Sequence, residues 1–147
     1  MNGKLLILIF TAFLTIFTLI LFYFQNFAYY ERLETKQQLS ISKKIIQVMH
    51  YTGIDSSSSG LKLRECFKIN KINSEDFKVY ETPTPLKAPF WFRCFDAETI
   101  EKDLYNNKAV AFLSKKEEFD GIDKVIALYP DGRGYQWRQL NEKYTDK

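Results

Sequence analysis

A chain of 147 residues has room for one domain and an appendage, and its 21 Lys and Arg against 18 Asp and Glu leave a net charge of only +3. With both signs interleaved and no basic run, nucleic acid is excluded as an expected partner. Two cysteines without a CxxC pair, and a single histidine, exclude the common zinc sites and a thioredoxin-like redox pair.

The first element is residues 5–24, LLILIFTAFLTIFTLILFYF, which contain no charge. Twenty helical residues at about 1.5 Å each span roughly 30 Å, the thickness of a bilayer's hydrocarbon core, so a transmembrane helix is predicted with the lipid bilayer as its partner. The run exceeds the roughly 7–15 apolar residues of a cleavable signal, and no small-x-small site follows in QNFAYYER. Residues 1–27 are therefore expected to form an uncleaved, single-pass signal anchor. Phe22, Tyr23, Phe24, Phe27, Tyr29 and Tyr30 suit the interfacial belt, where an amphipathic ring is apolar at one end and wet at the other. Thr11, Thr15 and Thr18 share one face, either to meet a partner helix or to bond back to their own.

Lys4 and the amino group stand before the span; Arg32, Lys36, Lys43 and Lys44 stand after it. A bare count places the following domain in the cytoplasm, but the bias weakens for long translocated domains and a short charged tail is readily retained. The cysteine pair decides the expectation: N-terminus cytoplasmic, C-terminal domain periplasmic, in a bacterial inner membrane.

Residues 28–40 read as a juxtamembrane segment or stalk, and 41–147 as the exported domain. ISKKIIQVMHYT (41–52) is rich in β-branched residues and reads as a strand, with a helical face as the alternative. GIDSSSSG reads as a flexible loop. LKLRECFKI (61–69) alternates, placing Leu61, Leu63, Phe67 and Ile69 on one face and Cys66 on the other, away from the main core. FKVYETPTPLKAP follows as a short strand and a loop. Asp96 is a good N-cap for AETIEKDLYNN, which carries Ala97, Ile100 and Leu104 on one face and ends at Asn106 and Asn107. Strands are expected at 108–114, 122–129 and 134–140, the last two joined by the turn PDGRG. The fold class is α+β: five or six mostly antiparallel strands and one packed helix of about three turns.

Cys66 and Cys94 are expected to form a disulfide if the domain is exported, closing a loop that adds roughly 3.6 kcal/mol on the chain-entropy model. Two unpaired structural thiols, or a Cys94 nucleophile favoured by the helix dipole, are the alternatives. A nucleophile needs a base, and nothing ties the single histidine, His50, to Cys94. The acidic run KKEEFDGID lacks calcium-loop spacing and reads as a solvated connection between strands. Trp91, Arg93, Arg133, Tyr135 and Trp137 are residue types enriched at binding surfaces and form the candidate surface; the competing reading buries the hairpin aromatics in the core. No cofactor and no metal are expected.

The MNGK start and span with FAYYE, then RECF with WFRCFDAE, then GIDKVIALYPDGRGYQW together resemble a family of small membrane-anchored alphaproteobacterial proteins of unknown function, sometimes labelled histidine kinase. The resemblance implies a single-pass inner-membrane protein with an exported domain and supplies no activity. A kinase is excluded physically, since the soluble part has neither a phosphoacceptor helix at His50 nor the Gly-rich loops that hold ATP. The expected function is a non-enzymatic, membrane-tethered domain that binds another membrane or periplasmic protein. A small-ligand sensor is the alternative, and a thiol enzyme using Cys94 the third class.

Overall fold

The computed structural model describes residues 1–71 and 73–145; the last two positions of the expected domain lie outside the described residues. Helix α1, Gly3–Asn26, contains an 18-residue stretch of mean hydropathy 2.9 and has no buried residue, so its apolar surface faces outward. Asn2 caps it, and the Thr11, Thr15 and Thr18 hydroxyls each donate to the carbonyl one turn back, at 2.8, 2.9 and 2.8 Å. Those hydroxyls are thereby satisfied inside the helix, as lipid requires of any polar group it surrounds.

The domain is a seven-stranded antiparallel sheet: β1 Tyr30–Arg32, β2 Gln38–Ile41, β3 Lys44–Ser56, β4 Arg64–Ile69, β5 Val110–Phe119, β6 Ile122–Leu128 and β7 Arg133–Leu140. Their order is β1-β3-β4-β7-β6-β5, with β2 also paired to β3. Helix α2, Ala97–Tyr105, and the short α3, Glu142–Thr145, complete it. The α+β class of the sequence reading holds, with more strands than expected.

Segment 28–40 is not a stalk. Tyr30 pairs with Ser56 and Gln38 with Gln47, so this stretch runs along β3 and belongs to the sheet. Only Phe27, Ala28 and Tyr29 separate α1 from β1. GIDSSSSG is also corrected, because β3 continues through Gly53 to Ser56 before turning. Likewise KKEEF is strand rather than solvated loop: β5 runs to Phe119 through two register shifts, and ion pairs replace apolar contact at its end. The stretch FKVYE forms one bridge, Val79 with Phe112, rather than a strand.

Both faces of the sheet are covered. One carries Leu39, Ile41, Val48, Tyr51, Phe67, Ile69, Phe77, Phe112, Ile126 and Leu128. The sheet curls around that cluster: Ser42, in the β2–β3 turn, donates through its backbone N–H to Ser114 O (2.8 Å) and through Oγ to Leu113 O (2.6 Å) on the far edge. The opposite face buries Ile54, Cys66, Val125, Ala127 and Trp137 under α2 and the preceding loop, through Phe92, Phe95, Ala97 and Ile100. Cys66 does face away from Phe67, as its parity requires, but into a second core. At the PDGRG turn Gly132 has φ +92, and an added Cβ would lie 2.4 Å from Ile69 O, so the turn needs glycine twice over.

Candidate functional site

The loop Leu86–Phe95, between the proline-rich segment and α2, is braced from several sides. Arg64 on β4 is buried, and its guanidinium donates to four carbonyls: Leu61 (2.7 Å), Leu63 (2.6 Å), Leu86 (2.8 Å) and Lys87 (3.1 Å). Burial pushes its pKa down to about 10, with Tyr30 and Asp55 working against the fall, so the group stays cationic near neutrality. A planar fork of donors is what lets one side chain tie two segments together. Two strand positions on, Cys66 is bonded to Cys94, with their Cα atoms 6.3 Å apart. Cys66 is buried and Cys94 is at the surface. Asp96 then starts α2, accepting from Glu98 N (3.1 Å), Thr99 N (3.3 Å) and the Thr99 hydroxyl (2.7 Å). The Thr99 hydroxyl and backbone bonds hold the Asp96 carboxyl below its usual range.

This loop also meets the end of α1. Trp91 Nε1 donates to Asn26 O at 2.5 Å, the Trp91 ring stacks on Phe27 (6.3 Å) and meets Tyr30 edge-on (5.9 Å), and Arg32 lies over it at 5.2 Å.

The five residues of the candidate surface separate. Trp137 is fully buried, its indole N–H donating to Gln139 Oε1 at 3.0 Å, because its side of β7 faces the core under α2. Tyr135 packs half-buried on the same cluster, edge-on to Phe95 and Tyr129. Arg133 is exposed, paired to Asp131 (2.7 Å) and lying over Tyr129. Trp91 and Arg93 belong to the braced loop, the first half-buried and the second exposed. With its sulfur in a disulfide, Cys94 offers no thiolate, and His50 is exposed at a bulge of β3 with φ 52.

Sequence reasoning missed a polar ladder inside the curled sheet. Glu65 is 1 % exposed and accepts from the Tyr51 hydroxyl, the Gln136 amide and the Lys36 ammonium (3.3 Å). Ser114 donates to Gln136 Oε1 at 2.7 Å and closes the chain. Burial, followed by the Glu65 carboxylate, pushes the Tyr51 phenol upward, so it holds its proton and donates. Beside the ladder, Arg138 bridges Asp55 (3.0 Å) and Glu118 (2.6 Å), and Lys124 joins Glu118 at 2.8 Å. The signal was available, since Glu65 falls on the same strand face as Leu63, Phe67 and Ile69.

A cleft of about 770 Å³ lies between the 78–84 segment and the end of β7. Asp123 in its wall accepts from Glu117 N (2.9 Å), Asn141 Nδ2 (3.1 Å) and Tyr80 OH (3.0 Å). With both oxygens occupied, that carboxylate fastens the segment to the sheet rather than standing ready as a base.

One exposed apolar helix joined to a small disulfide-braced antiparallel α+β domain defines the class: a single domain behind a helix able to cross a membrane. Residues 33–147 match the Family of unknown function (DUF6446), and the chain belongs to that family. Among curated proteins and among solved structures, none matches the chain.

Proposed function

We propose that the protein is a non-enzymatic domain tethered to the bacterial inner membrane, N-terminus inside and domain in the periplasm, and that it binds another envelope protein. The observation that carries the reading is the exposed 24-residue apolar helix joined by three residues to a domain held by its only two cysteines. A disulfide persists in an oxidising compartment, which supports export over a cytoplasmic domain. The cleft supports a second reading as a small-ligand sensor, because a recess of about 770 Å³ is of ligand size.

Alkylating the protein without reductant, directly from membranes, tests the side. Two protected sulfurs are expected in the intact mass; two alkylated ones sink the export reading. Mild crosslinking in native membranes tests the partner, and recovery of the monomer alone in repeated trials counts against it. Ligand binding, read as a thermal shift abolished by substitutions in the cleft, would favour the sensor.

A further inference from the structure

A single exposed phenylalanine is ordinary, but Phe90, 62 % exposed, is neither solitary nor loosely held. Its loop is fastened by the Arg64 guanidinium at Leu86 and Lys87, by the Cys66–Cys94 bond, and by Trp91 Nε1 on the last carbonyl of α1. Phe92 and Phe95 are buried on either side of the tether. So fixed, the loop presents the Phe90 ring to Phe22 (6.0 Å) and Phe27 (5.8 Å). Phe22 lies four residues before Asn26, about 6 Å back along the helix and inside its uncharged run. Phe90 therefore sits at the depth of the final apolar turn.

The connection leaves little choice of position. Four peptide steps from Asn26 to Tyr30 reach at most about 14 Å, and Tyr29 at φ 65 shortens them. Exposed Tyr23, Phe24 and Tyr29 continue the aromatic zone around the junction. Arg32 and Lys62 lie over Trp91 and Tyr30, at 5.2 and 4.9 Å, while Lys87 and Arg93 flank Phe90. Carboxylates are near as well: Glu98 pairs with Lys87 (3.8 Å), Asp96 is spent on the helix cap, and Glu31 is exposed between Tyr30 and Arg32.

We propose that the loop tip, Phe90 backed by Trp91, is a second membrane contact, seated in the headgroup–acyl boundary of the bilayer that α1 crosses. The inference rests on the tether reading, and commits to lipid because the surface is continuous with the apolar face of α1. An aromatic tip ringed by Arg and Lys is the composition that binds such a boundary, with the cations placed for anionic headgroups. The domain is thereby held against the membrane in one pose instead of swinging on a leash.

The test uses the full chain in nanodiscs made with or without phospholipids brominated at shallow acyl positions. The chain has two tryptophans, and Trp137 is 0 % exposed inside the domain. Bromolipid is expected to remove the Trp91 share of the emission, up to half of the total, and to remove none from a Trp91→Phe chain. Phe90→Ser is expected to cut the quenching at least twofold while leaving Trp137 emission and the disulfide intact. Emission quenched by aqueous iodide but indifferent to bromolipid overturns the proposal, as does unchanged quenching in Phe90→Ser. Retention through an alkaline carbonate wash reads the tether separately. A retained chain with Trp91 untouched by bromine defeats this contact alone, whereas a chain washed off defeats the tether and the contact together.

Discussion

Arg64 explains itself only through its acceptors. A buried guanidinium is costly unless its donors find oxygens, and four of its N–H groups reach backbone carbonyls. Arg64→Lys keeps the charge but loses the fork, leaving buried carbonyls unpaired; a loss of about 2–3 kcal/mol is expected in urea unfolding of the chain in detergent. Glu118 makes a pH prediction. Burial, the largest influence, favours its protonated form, but hydrogen bonds from Lys124 and Arg138 outweigh it and hold the carboxyl below its ordinary value of 4.5. Because the folded value is the lower one, the stabilisation is complete above the ordinary value and is lost as pH falls through the folded one. Wild type is expected to lose urea resistance as pH falls below the ordinary value of 4.5, and Glu118→Gln to show a shallower fall over the same descent.

Among the elements, α2 and the β6–β7 hairpin were legible because their causes are local. Asp96 caps the backbone two and three residues on, and the turn glycine meets its steric demand within the hairpin and its neighbour. The β2–β3 turn was not legible. Ser42 and Lys43 have φ 48 and 68, the geometry of a type I′ turn usually built from Asn-Gly, and the bonds that hold Ser42 come from β5, 71 positions away. The disulfide was legible as a pairing but not as a brace between β4 and the loop ahead of α2. Replacing both cysteines by serine is expected to lower stability by about 3.6 kcal/mol, from a sequence separation of 28. Urea midpoints of the two chains check it, and in the Arg64→Lys background the losses should fail to add, since both fasten one loop.

For the whole molecule, the three-residue joint is decisive. Inserting a Gly-Ser spacer of about six residues after Ala28 should leave the domain's unfolding midpoint within about 0.5 kcal/mol of wild type, because β1 carries only three residue pairs. Site-specific crosslinking between positions 22 and 90 should fall sharply in the same chain, and an undiminished yield would show that the joint is not what positions the loop. The five residues singled out from the sequence end in different surroundings. Trp91 and Arg93 lie at the junction, whereas Trp137 went to the core because residues on opposite faces of one strand meet different environments once both faces are covered.

The long apolar helix, the capped helix, the final hairpin and the cysteine pair follow from the amino-acid sequence itself, since each rests on an uninterrupted apolar run, a neighbouring backbone group or a count. Tertiary structure alone decided that residues 30–41 enter the sheet, that Glu65 is buried among donors, and that Phe90 stands beside Phe22. Those outcomes join residues as far as 71 positions apart, and composition and periodicity carry no record of which distant partner a folded chain will bring into contact.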